Sequence, residues 1–232
     1  MTDPNQVVKY RYRLLFAKKK AVKYIGHLDL ALAWERALRR AQIALAYSKG
    51  FNPRPKMQFA SELPLGSTGG AEIVDIVLEE PLDLETAHDK IDPTLPQGLK
   101  LHSIEPVPIK APTLQNLLRQ ADYNVLVETD LSAEALSQRI EALLAADEII
   151  QTRRRRKREE KYDLRPWLYE LDLVSLADGD ARLHMRLACG QHGNLRPEAV
   201  LKALDLGDNW AEIERTRLYF EDDLVGETTA DG

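Results

Sequence analysis

Segments with a two-residue hydrophobic period and segments with a helical period follow one another as strand, helix, strand, strand, helix, strand, and this order runs twice along the chain. In the first pass Tyr10, Tyr12, Leu14 and Phe16 alternate with Arg11 and Arg13, so one side of an extended segment is apolar and the other charged. Leu30, Trp34, Ala37, Leu38 and Ala41 then recur at helical spacing, with Asp29, Arg36 and Arg40 on another stripe. From Leu45 to Leu65 three prolines and a glycine oppose a helix and leave an irregular stretch with strand character at Met57–Ala60. A strand over 71–80, a helix over 84–95 that stops near Pro93 and Pro96, and a strand over 98–108 complete the pass.

The second pass places strands over 123–128, 167–174, 182–188 and 211–220, with helices over 132–147 and 197–204. Asp178-Gly179 sits between its two middle strands as a hairpin turn. Both passes match the split βαβ order, so the expected class is α+β with two tandem ferredoxin-like domains. A chain of 232 residues has room for two such domains, 1–110 and 120–232. The stretch 109–121, with Pro112 near its start and Leu114, Leu117 and Leu118 at helical spacing, reads as their connection.

Net charge is −5, but its distribution is blocked. Residues 1–60 carry 13 Lys and Arg against 3 Asp and Glu, and residues 61–150 carry 5 against 17. Residues 151–170 return to 8 against 4, and residues 171–232 hold 6 against 13. Such blocks either pair with one another and with water, or present a basic face to phosphate. Composition excludes a disordered or membrane-spanning chain: hydrophobic residues make up 44% and no apolar run nears the roughly 20 residues of a span. The opening residues lack the apolar core of a signal peptide, and Cys189 has no second cysteine to pair with, so a cytoplasmic location is expected.

Four segments carry the candidate chemistry. His27, in GHLD after the basic loop, stands at a helix start, where it would act as a base, meet a phosphate, or simply face solvent. Residues 47–56, YSKGFNPRPK, interleave Lys49, Arg54 and Lys56 with Tyr47 and Phe51, and Phe59 follows; cations neutralise phosphates and aromatic faces accept stacked bases, unless those aromatics fill a core. Arg153, Arg154, Arg155, Arg156, Lys157 and Arg158 form an unbroken cationic run suited to a polyanion, or a solvated loop balanced by Glu159 and Glu160. In CGQHGNLRPEAV, Asn194 reads as a helix cap with Pro197 and Arg196 in the first turn. A cation there opposes the helix dipole, and either an anion held with His192 and Asn194 or a salt bridge to an acid resolves the conflict. Together with Arg11 and Arg13, the second and third segments form the candidate nucleic-acid surface.

No phosphate-binding GxxxxGK[ST] loop, dinucleotide GxGxxG, HExxH or paired-cysteine site occurs, and the five histidines are scattered. Neither a cofactor nor a metal is expected.

GHLD at 26–29, ERALRRA at 35–41, YSKGFNPRPK at 47–56, LPLG at 63–66, DLRP at 163–166 and GNLRPEAVLKAL at 193–204 together resemble the bacterial radical-SAM-linked proteins of unknown function. Members of that family occur beside, or fused to, a radical SAM protein. In the family pattern the position of Gly26 is commonly serine and that of Arg54 commonly histidine, so Arg54 keeps a cation and gives up acid–base chemistry. The resemblance implies an accessory to a radical SAM partner. With Cys189 alone, this sequence lacks the three cysteines that hold such an enzyme's cluster.

The expected function is therefore RNA binding in support of a separate radical SAM enzyme, without catalysis of its own. Two alternatives stand beside it. Tandem ferredoxin-like folds also resemble the CRISPR repeat-processing ribonucleases, in which reading His27 deprotonates a 2′-hydroxyl near Tyr24 or Lys23 without metal. The other is a protein-binding scaffold for the radical SAM partner, favoured if Leu28 and Leu32, on the side of their helix away from Trp34, form an exposed apolar strip.

Overall fold

The alternating run at the N-terminal end forms β1 (Tyr10–Lys18), followed by a single 3-10 turn at Lys20–Val22 and by α1 (His27–Arg40). This computed structural model describes residues 9–155 and 158–225. Two compact units divide at Leu117/Leu118, and each is a mixed α+β body built on antiparallel strands with few helices.

The first unit continues with β2 (Met57–Phe59), β3 (Thr68–Leu78), α2 (Leu84–Ile91), β4 (Leu99–Val107) and the single turn α3 (Leu114–Leu117). Its strands lie in the order β4-β1-β3-β2, every neighbour antiparallel. The helical spacing read in α1 delivers Leu30, Trp34 and Leu38 to the core, where Trp34 and Phe16 meet edge to face at 5.1 Å and Phe16 meets Phe59 at 6.1 Å. Each fully buried side chain of this size contributes about 1.5–3 kcal/mol relative to an exposed one. Asp83 starts α2 by accepting from the Glu85 N–H and the Thr86 hydroxyl.

The second unit comprises β5 (Leu118–Glu128), α4 (Ala133–Ala145), β6 (Ile150–Arg155), β7 (Arg158–Asp163), β8 (Leu168–Ala177), β9 (Asp180–Ala188), α5 (Pro197–Ala203), β10 (Ala211–Phe220) and α6 (Glu221–Val225). Its main sheet runs β10-β5-β9-β8, again antiparallel, while β6 and β7 pair only with each other among the described strands. Asp178 and Gly179 both have positive φ, 54° and 83°, as a two-residue turn between right-twisting strands requires.

The expected connection over 109–121 is shorter in the fold. Leu114, Leu117 and Leu118 share helical spacing, yet Leu118 already begins β5 and is buried, because burial in a sheet overrides a single helical turn. The basic run is likewise partly drawn into strands: β6 and β7 form an antiparallel pair whose register sets Arg153 opposite Glu160 and Arg154 opposite Glu159. Asp163 of the DLRP motif closes its base, accepting from the N–H groups of Ile149 and Arg165 at 2.7 and 3.0 Å. Arg165 donates to the carbonyls of Leu168 and Leu144, and Tyr162 stacks on Trp167, so the motif fastens the strand pair to its unit.

Candidate nucleic-acid interface

Residues 46–57 form a narrow protrusion from the first unit. The Ala46 N–H donates to Val77 of β3, and the N–H groups of Val77 and Lys56 donate to Lys56 and Ala46, which pins both ends of the segment to the sheet. One step out, the Ser48 N–H donates to the Arg54 carbonyl and the Arg54 N–H to Ser48 Oγ, closing the loop 49–53. Gly50 at φ 132° turns the chain there, an angle L side chains rarely adopt. Pro53 and Pro55 stiffen the return limb and reduce the entropy lost on binding.

The aromatics of this segment divide between core and surface. Tyr47 is half-buried and donates to Glu35 of α1 at 2.8 Å, a carboxylate that also accepts from Arg39, and Phe59 is in the core. Phe51, at the tip, is fully exposed (107%), beside exposed Lys49, Arg54 and Lys56, whose charged groups meet no acid among the described residues. The outer stripe of α1, Leu28, Leu32, Glu35, Arg36 and Arg39, leads toward this loop through the Tyr47–Glu35 bond. A cavity of about 220 Å³ opens at the loop's base, lined by Lys56, Met57, Gln58, Val77, Ile109 and the Arg11–Asp75 pair.

Arg11 and Arg13, expected on the nucleic-acid surface, belong to a buried ionic cluster. Asp75, 3% exposed, accepts four hydrogen bonds from the two guanidinium groups at 2.6–3.2 Å. Arg11 also donates to the carbonyls of Ala111 and Pro112. Cross-strand register causes this, since β3 sets Asp75 directly opposite Arg13, and an Asp on a partner strand is not visible from the alternation of β1 alone. Of the cationic run, Arg156 and Lys157 lie outside the described residues, and for Arg153, Arg154, Arg155 and Arg158 the backbone register alone is described.

His27 is the first residue of α1, capped by Gly26, and its ring meets the Phe59 edge at 5.1 Å. Lys23 stands over the ring of Tyr24, and the Gly66 N–H of the LPLG motif donates to the Lys23 carbonyl, so GHLD and LPLG converge on one corner. Apolar side chains there are unusually open: Tyr24 is 74%, Leu28 79% and Leu65 66% exposed. Leu32, one turn along α1, is also exposed.

The last candidate needs correction in its cap. The capping position of α5 is Arg196 with extended backbone, followed by Pro197, and Asn194 lies two residues outside the helix. Arg196 therefore precedes the first turn, which weakens the argument from the dipole. His192, Asn194 and Arg196 are all exposed, and the Arg196 guanidinium forms no salt bridge among the described residues.

The polar face of the second sheet was not singled out from the sequence. Asp122 of β5 accepts from Arg186 Nε at 2.9 Å and from the Tyr219 hydroxyl at 2.6 Å; Arg186 also donates to Glu170 at 2.7 Å and lies over the Tyr219 ring. Burial pushes the Asp122 carboxyl up, but the bonds from Arg186 and Tyr219 outweigh it and hold the group below its ordinary value. The hydrogen bond to Asp122 raises the Arg186 pKa, and burial followed by the bond to Asp122 raises that of Tyr219. The available signal is the alternation of charged residues with leucines in β8 and β9, where Glu170, Asp172, Arg182, His184 and Arg186 occupy the non-core positions.

The fold and this surface define an α+β protein with a basic, aromatic-tipped protrusion and no helix among the described residues long and apolar enough to cross a membrane. The chain belongs to the family described as "Uncharacterized protein conserved in bacteria (DUF2344)", whose model matches residues 11–197. No curated protein matches it. Among solved structures it is similar to a chain of a Cbf5-Nop10-Gar1 complex, at 16% identity and TM-score 0.46, over 84% of this chain and 45% of that one. It is also similar to a chain of an H/ACA RNP bound to a substrate RNA containing 2′-deoxyuridine, at 17% identity and TM-score 0.48, over 89% and 47%. The chain thus spans less than half the length of either.

Proposed function

We propose that this protein binds single-stranded RNA through the 47–56 protrusion, as an accessory to a separate radical SAM enzyme and without catalysis of its own. The observation that carries the RNA reading is Phe51, fully exposed at the tip of a proline-stiffened loop beside three exposed cations that meet no acid among the described residues. A base stacks on an exposed ring without displacing any internal contact, and the cations release counterions from phosphates. The radical SAM partner rests on the joint motif resemblance. The two units are read as ferredoxin-like repeats, a reading supported by the same order within each once β6 and β7 are set aside, fourth strand, first, third, second: β4-β1-β3-β2 and β10-β5-β9-β8.

Titration of the purified protein with a single-stranded oligoribonucleotide at several salt concentrations tests the binding. Affinity falls steeply with salt. Phe51→Ala weakens binding by about 1–3 kcal/mol, the worth of one stacked base. Replacing Lys49, Arg54 and Lys56 with Ala reduces the slope of log K against log salt by about 2, at about 0.7 per phosphate contact on a single strand. Absence of binding at low salt, or full affinity in Phe51→Ala, rejects the reading.

Exposed Tyr24, Leu28 and Leu32 favour a second reading, in which the corner where GHLD and LPLG meet docks the partner protein. Purification of the tagged protein from its own cells separates the two: RNA recovered and lost in Phe51→Ala supports the first, whereas a radical SAM protein recovered without RNA supports the second.

A further inference from the structure

We propose that Glu170, Asp172 and His184 bind a divalent transition-metal ion on the polar face of the second unit's sheet. Strand pairing creates the triad. Glu170 and Asp172 are two residues apart on β8 and so share a face, and antiparallel register sets His184 of β9 directly opposite Asp172. One ligand atom from each of the three lies within 4.8 Å of the other two.

The His184–Asp172 spacing fits a shared ion better than a hydrogen bond. His184 Nδ1 is 3.7 Å from Asp172 Oδ2, and His184 Nε2 is 3.7 Å from Asp122 Oδ1, both too long for hydrogen bonds. Two metal–ligand bonds of about 2.1 Å meeting at a tetrahedral angle separate their donor atoms by about 3.4 Å, close to the Nδ1–Oδ2 gap. With Nδ1 on the ion, Nε2–H points toward Asp122, the carboxylate–histidine arrangement that orients metal ligands. Asp122 is itself held by Arg186 and Tyr219, so the outer support is already in place.

Charge agrees. Asp122, Glu170 and Asp172 bring three carboxylates around His184, and Arg186, bound to Asp122 and Glu170, supplies one guanidinium. Arg217 of β10, directly opposite Asp122 and over the Tyr219 ring, adds a second guanidinium, and the three carboxylates still leave an excess of negative charge that favours a cation. Glu170 gives one oxygen to Arg186 and keeps the other. An imidazole with two carboxylates suits Zn(II), Co(II) or Mn(II) over Mg(II) or Ca(II), which prefer oxygen alone. Three protein ligands leave a coordination position open to water or to an oxygen of another molecule.

EDTA-treated, untagged protein titrated with Zn(II) by calorimetry, and with Co(II) by visible absorption, binds one ion per chain, and Zn(II) raises its melting temperature. Asp172→Asn, at a side chain 69% exposed, and His184→Gln, at one 26% exposed, retain the fold. Each weakens binding by at least about 10–100-fold, the cost of losing even an outer partner. Wild type that takes up no Zn(II) or Co(II) overturns the proposal, as does uptake that both variants retain, which assigns the ion to exposed histidines elsewhere.

Discussion

Asp75→Ala lowers the stability of the protein by about 3–5 kcal/mol, the usual cost of removing one partner from a buried ion pair. The substitution leaves two guanidinium groups facing the first sheet, of which Arg11 is 7% exposed and retains just the Ala111 and Pro112 carbonyls. At about 4–8 °C per kcal/mol for a unit of this size, the melting temperature falls by more than about 10 °C. Arg11→Ala also destabilises the protein and leaves the salt slope of RNA binding unchanged, since that arginine meets Asp75 rather than phosphate. A variant Asp75→Ala that melts within about 2 °C of wild type would show that Arg11 and Arg13 remain available as surface cations.

Asp122→Ala has a comparable effect, about 3 kcal/mol or more, because it strips Arg186 and Tyr219 of their shared acceptor. Here the effect has a pH signature. The folded Asp122 pKa is depressed, so the unfolded chain takes up its proton first as pH falls. The stabilisation is complete above about pH 5, erodes as pH falls through the unfolded value near 4, and is gone below the folded value. Asp92 adds to the same acid limb: burial raises its pKa, but bonds from Lys100 and the Leu101 N–H bring it below the ordinary value. Melting temperatures measured from pH 7 to pH 2.5 fall less steeply in Asp122→Asn than in wild type. Parallel curves for the two proteins would reject Asp122 as a source of acid sensitivity.

The strands and helices were largely legible because their periodicities report which positions must leave water. The spacing of Leu30, Trp34 and Leu38 named the inner face of α1, and Asp178-Gly179 named a turn whose backbone angles few other pairs adopt. Helix ends were less legible. Asn194 has the chemistry of a cap, but the fixed φ of Pro197 makes Arg196 the capping position instead. The connecting stretch failed for a related reason, since one turn of leucines at helical spacing is too short to outweigh burial in β5.

At the candidate site the division is sharper. Local sequence determined that residues 47–56 would be stiff, basic and aromatic, and that 153–158 would concentrate positive charge, because proline geometry and formal charge do not depend on neighbours. Tertiary structure decided which of those groups face solvent. It turned Tyr47 and Phe59 inward and Phe51 outward, and it consumed Arg11 and Arg13 by setting Asp75 across from them. It likewise assembled Glu170, Asp172 and His184 from two strands and set Asp122 behind them. Cross-strand register determines such partnerships, and register arises from the packing of the whole sheet, whereas periodicity along one strand specifies a face and leaves the partner on that face unspecified.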